Sequence, residues 1–507
     1  MNLAGIKAHF SNWREWELNP IVVKELRQAV RSWAVTGMLL LFLTGLFIIS
    51  LLFLIFQSFD VGPDMELGGE MFSWFTGILA VASVIFIPLY MGIRVAAERQ
   101  ENNPDLFYVS TLSPTRIILG KFLCGAYMAL LFFSACMPFM AFSNILRGVD
   151  LPTIFYILFH LFLIVCAVNM IAIFLACIPA SRPFKVFFTF CGFVASFWLV
   201  FPVIALSLQV LRAGVGTTMG SGNFWAETLT QIALGAAVTG LFYVMAVALV
   251  SPLSSNRALP VRIYISVIWL LTGLLCLGWV RKAGHAEIVY AWFIPMFILL
   301  LASLVVVISN SDVLSHRVRR AIPKSRLMQY PAFLFFNGAA GGLLWVGLMM
   351  AATFLAVDLL FPTIGNTSNT SLSLKALAAY AFDYALTGLF IHRTFFPHRP
   401  AKLTGLIAAL VAAACCLMPS IVLFFLNELT WNSIEGLELG NAFNIYSMRD
   451  DSRIINHVYF SLGWFALMVL LNAPWFGRQV RNFVQPPAVT PPVIAYGPGN
   501  PTSPAGR

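Results

Sequence analysis

Twelve apolar stretches, each about as long as a helix needs to cross a bilayer, limit this chain more than any motif does. They run over 34–56, 72–93, 117–145, 153–178, 186–211, 228–251, 263–280, 288–309, 332–358, 375–392, 403–426 and 456–475. About 20 apolar residues cross the hydrocarbon core as a helix. Only helices and closed barrels pair every backbone N–H and C=O there. The expected fold is therefore an all-α polytopic membrane protein with about twelve transmembrane helices. Composition agrees: 60% of the 507 residues are hydrophobic and 10% are charged, against about a quarter charged in soluble domains.

The charges sit where topology determinants sit. A cytoplasmic N-terminus puts all but seven of the 31 basic residues in alternate, cytoplasmic segments, as the positive-inside rule requires. The exceptions are Arg147, Arg212, Arg281, Lys282, Lys375, Arg449 and Arg453, of which the pair Arg281-Lys282 argues against the scheme most. The first outer loop carries Asp60, Asp64, Glu66 and Glu70 and no cation. Both termini are thus expected in the cytoplasm, with the chain in the plasma (inner) membrane. The net charge of +10 is spent on span ends, so no nucleic-acid partner is expected. The charged residues 1–33 ahead of the first span point to a retained anchor rather than a cleaved signal. The eight cysteines lie in apolar runs without metal-ligand spacing and read as packing residues.

Two polar stretches near the N-terminus have their own pattern. Residues 19–33 form an amphipathic helix: Val22, Leu26, Ala29, Val30 and Trp33 on one face, Lys24, Arg27, Gln28 and Arg31 on the other. Such a helix lies in the membrane interface. Residues 94–121 join the second and third apolar runs. Asn103-Pro104 reads as an N-cap with proline at the first helical position. Leu106, Val109 and Leu112 then recur at helical spacing, and Ser113-Pro114 repeats the cap before the next span.

The order Glu98-Arg99, a short helix ending Thr111-Leu112-Ser113-Pro114, then Gly120-Lys121, resembles the coupling region of ABC-2-type transporter permeases, the membrane subunits of ATP-driven exporters. Asn19 to Gln28 is similar to that family's N-terminal interfacial helix. Residues 100–105 stand where the family pattern has a glycine-threonine step. The resemblance covers about the first quarter of the chain. It implies a cytoplasmic P-loop ATPase subunit docking on a coupling helix within 94–116, ATP bound on that partner, no cofactor or catalysis on this chain, and a second permease unit across the translocation path. On this reading 1–33 is the cytoplasmic N-terminus with its interfacial helix, and 34–309 the permease core of spans 1–8. Residues 310–475 are a membrane extension of spans 9–12, and 476–507 a Pro/Gly-rich cytoplasmic tail expected to be disordered.

Individual residues admit two readings each. Glu98 and Arg99 orient the coupling helix, Glu98 pairing with Arg94 one turn back, or they are an ordinary charged span end. Glu25 locks the interfacial helix to the coupling helix, or is a solvated acid among cations. Asp383 lies mid-span, where an ionisable group costs about 2.5–3.5 kcal/mol; it marks a substrate or proton path, or hydrogen-bonds to Asn337, Asn472 or His160. The basic run His316 to Arg326 touches the ATPase or anionic lipid, or sets topology. Gly338 and Gly342 have the spacing of a close helix contact. Gly120-Lys121 lacks the upstream glycine of a phosphate loop, Thr115 standing in its place.

Three function classes remain: a permease subunit, an ion-gradient-driven secondary transporter, and an integral membrane enzyme. The second calls for inverted repeats and several intramembrane charges, and the third for a nucleophile–base or metal pair. Neither pattern is evident.

Overall fold

The computed structural model of the chain describes residues 20–57, 67–101, 113–146, 149–179, 181–252, 254–285, 287–360, 369–425, 439–442, 445 and 451–484. Regular structure among them is helical throughout. Eleven of the described helices are long and apolar enough to cross a membrane. The protein is an all-α, multi-pass membrane protein. The remaining expected span, 403–426, is the 23-residue helix Leu403–Phe425, which carries no charged residue. The chain divides into two compact units, Met1–Gly278 and Trp279–Arg507.

In the first unit, α1 (Pro20–Val30) leads into α2 (Trp33–Gln57), then α3 (Leu67–Val81). A π-helical turn, Ala82–Phe86, joins α3 to α4 (Ile87–Glu101) without a break. The turn precedes Pro88, whose ring lacks an N–H and crowds the carbonyl four residues back; widening the helix is the local remedy. Next come α5 (Pro114–Ile145), α6 (Leu151–Cys177), α7 (Arg182–Ala213) and α8 (Gly222–Val250), then α9 (Ala258–Ala283), within which the unit boundary falls. Ser113 caps α5 as its spacing predicts, accepting from Arg116 N at 3.4 Å with Pro114 at the first helical position.

Helix α6 is the centre of this unit, packed by α4, α5, α7 and α8. Aromatic rings fill the space between α2, α3 and α5: Phe42 meets Phe132 at 5.4 Å and Phe75 meets Phe139 at 5.8 Å between centroids. Helices α5 and α6 approach so closely that a Cβ at Gly125 would overlap the Asn169 side chain. Asn169 is fully buried and its amide donates to Phe122 O at 3.4 Å. The small residue lets a polar side chain reach a neighbouring backbone, which hydrocarbon cannot replace with water.

The second unit contains α10 (Ile288–Ile308), α11 (Arg326–Phe335), α12 (Ala339–Leu360), α13 (Asn369–Phe395), α14 (Leu403–Phe425) and α15 (Asp451–Val484). The expected single span over 332–358 is two helices. The chain turns at Phe336–Gly338, where Gly338 has φ +132°, a conformation open mainly to glycine. Gly338 is thus a turn residue and no part of a helix-packing stripe, which corrects the Gly338/Gly342 expectation. The close approach is at Gly341, where a Cβ would strike the Phe333 carbonyl. Asp312 stabilises the new start, accepting from Ala339 N at 3.2 Å and from Trp475 Nε1 at 3.0 Å. Burial pushes its carboxyl above the ordinary carboxylate range, against the pull of these two donors and of Arg393.

Candidate functional site

The most concentrated charge in the first unit joins α1, α4 and α5. Val22, Glu25 and Ala29 form the buried face of α1, spaced three and four residues apart so that they stack on one side of a helix. Lys24, Arg27, Gln28 and Arg31 are exposed. The sequence expectation grouped Val30 and Trp33 with the apolar face of an interfacial helix and Glu25 with the polar residues. The structure corrects the placement of Glu25, which is 2% exposed, whereas Val30 at 72% and Trp33 at 90% are left uncovered by the protein.

A buried carboxylate needs a partner, and Glu25 has two. Lys121 Nζ on α5 lies 3.0 Å from Glu25 Oε1, and Arg94 Nη2 on α4 lies 3.4 Å from Glu25 Oε2. Lys121 also pairs with Glu98, one turn below Arg94 on α4. Arg94 bonds Gln28 of α1 and Tyr90 Oη, the latter at 2.9 Å, and lies over the Tyr90 ring at 5.6 Å from its centroid. The order Glu98–Lys121–Glu25–Arg94 alternates in sign and sums to zero. Desolvating each ion costs several kcal/mol, and alternation returns much of that cost only when every member is present. Such a cluster contributes little net stability. It fixes one mutual placement of three helices.

This geometry settles several local readings. Glu25 is not a solvated acid; it ties α1 to α4 and α5. Glu98 pairs with Lys121 of α5, while Arg94, its expected partner, is taken by Glu25. Arg27 points away from the cluster. Arg99 follows Glu98 in α4, but its side chain is outside the described residues, as are Leu106, Val109 and Leu112. Lys121 and Arg94 complete the site: the sequence offers Arg94 only as a partner for Glu98 and Lys121 only within the Gly120-Lys121 stretch, and joins neither to Glu25. The available signal was a lysine two turns inside an apolar helix, with no acid three or four residues away to pair with it.

Asp383 belongs to the second unit and is fully buried. Its Oδ2 accepts from Ser461 Oγ of α15 at 2.5 Å, so its partner is none of the three expected. No partner for Oδ1 is present among the described residues. The pair is one rung of a series: Tyr380 Oη with His457 Nδ1 at 2.9 Å, Trp464 Nε1 to Thr387 Oγ1 at 3.0 Å, and Arg393 Nη1 to Asn472 Oδ1 at 3.1 Å. Sequence separations along it stay at 77–79, so α13 and α15 run parallel. Ser461 bonds the carboxylate and His457 bonds a tyrosine, so the rungs do not assemble a serine nucleophile with its base. No group of three or more His, Cys, Asp or Glu side chains arranged to hold a metal occurs among the described residues.

No protein-family model, curated protein or solved structure matches this chain.

Proposed function

We propose that this chain is the membrane permease subunit of an ATP-binding-cassette exporter of the ABC-2 type. The observation that carries the reading is the alternation Glu98–Lys121–Glu25–Arg94, its central pair buried and its two ends half-buried. It clamps the amphipathic α1 to the two helices that flank residues 102–112, the segment in which the coupling helix is expected. A push on that segment from a soluble partner is then delivered to α1, α4 and α5 together rather than absorbed by a loose loop. The partner is a cytoplasmic P-loop ATPase that binds and hydrolyses ATP, and a second permease unit, identical or different, completes the path. Glu98 and Arg99 orient the contact; Leu106, Val109 and Leu112 supply its apolar face.

The test is gentle purification from native membranes followed by mass spectrometry of the co-eluting proteins. A stoichiometric P-loop ATPase is the expected result. Its reproducible absence from folded protein would reject the permease reading. One observation favours a second reading, an ion-gradient-driven carrier: Asp383 is a fully buried acid within a candidate span, the kind of group proton and ion pathways use. Absence of an ATPase would promote that reading.

A further inference from the structure

The first unit holds a groove between α4, α6 and α7 with a cavity of about 170 Å³. Its floor is built from small residues, Gly92, Ala172 and Gly192, and its sides from Leu175, Phe188 and Phe193. Its hydroxyls are turned away: Thr189 Oγ1 donates to Lys185 O and Ser196 Oγ to Gly192 O, both at 2.8 Å. Among the lining residues, the one charge is the half-buried Lys185, near the start of α7. From Lys185 to Leu199 the α7 wall runs about 21 Å at the rise of an α-helix, more than the roughly 15 Å half-thickness of a hydrocarbon core.

The geometry points to a binding site for one anionic phospholipid, an acyl chain lying along the groove and the headgroup phosphate on Lys185. A groove walled by membrane-spanning helices is filled from the bilayer. Apolar sides with a cation at one end match a lipid, in which chain and phosphate are likewise separated along one axis. Small residues on the floor leave room for the chain where larger side chains would close the groove. Gly192 illustrates this: a Cβ there would meet Leu175 Cδ1 at 3.8 Å, ordinary contact, so the packing tolerates a side chain and the space is not needed by the protein itself. The groove and the charge cluster use opposite faces of α4, for the lining residue Ala96 is two positions from both Arg94 and Glu98 and so about 200° round the helix from each. The π-helical turn reaches the groove through Ile85. A bound lipid would therefore rest on the helix that carries half of the cluster.

The test is native mass spectrometry of the full chain released from bilayers of equal phosphatidylglycerol and phosphatidylcholine. Wild type should retain one phosphatidylglycerol in preference to phosphatidylcholine. Lys185→Gln should reduce that preference about fivefold, the electrostatic contribution of one lysine near an anionic surface. Gly192→Leu, which fills the groove, should abolish retention of either lipid. Thermal melting of both variants reports that they are folded. An unchanged lipid ratio in Lys185→Gln, or the same retained lipid in folded Gly192→Leu, would overturn the assignment. No preference in wild type would do the same.

Discussion

Removing one ammonium from the first unit should cost it more than any surface change. Lys121→Met keeps the length and apolar stem of the side chain and deletes the charge shared by Glu25 and Glu98. Breaking a buried ion pair costs about 3–5 kcal/mol because the surviving ion is stranded. Glu25 retains Arg94 at 3.4 Å, which places the expected loss at the low end, about 3 kcal/mol. At about 2 °C per kcal/mol, the sensitivity of a domain of about 250 residues, Tm should fall by roughly 6 °C. The double variant Lys121→Met/Glu98→Gln leaves one cation, Arg94, facing one buried anion, Glu25, and should recover most of that loss. Arg27→Met, on the exposed face of α1, should shift stability by no more than about 0.5 kcal/mol. Fluorescence-detected thermal unfolding of the purified protein measures all three. Added salt should change the Lys121→Met effect little, because buried pairs are poorly screened. If Lys121→Met melts with wild type, or the double variant is worse than the single, the cluster is not the coupled unit described.

Under the transporter reading, Leu106→Asp with Val109→Asp should abolish co-purification of the ATPase and leave thermal stability unchanged; retained transport-coupled ATPase activity would remove the coupling helix from this segment. Gly125→Ala should destabilise by about 1–3 kcal/mol through overpacking against Asn169, and Asn169→Ala in the same chain should recover part of it, a coupling that a double-mutant cycle reads directly. Asp312 binds its proton more tightly folded than unfolded, since burial raises its affinity. Its contribution to stability is therefore fully present below the ordinary aspartate pKa of about 3.9 and declines as pH rises through the folded value. Asp312→Asn should flatten that limb of the melting-temperature profile, and an unchanged profile would refute the assignment.

The spans were legible because hydrocarbon leaves a helix few alternatives: an apolar run of 20 residues announces itself without knowledge of its neighbours. Asp383 was legible as a buried polar group for the same reason. Its partner was not, since Ser461 is 78 positions away and serines occur in many spans. Glu25 shows a different limit. Sorting α1 by polarity places every charged residue outward, whereas the structure turns this one inward to cations 69 and 96 positions downstream in the chain. The turn at Phe336–Gly338 was invisible to hydropathy because both of its sides are apolar; only the glycine conformation and the distant Asp312 reveal it.

The rungs between α13 and α15 also govern how the second unit can move. Sliding one of these helices by a turn would take Ser461 from Asp383 and Asn472 from Arg393 at once, in a medium with no water to replace them. Small slips are penalised at every rung. The two helices should therefore travel as a single strut, with any rearrangement of this unit taken up at its other contacts.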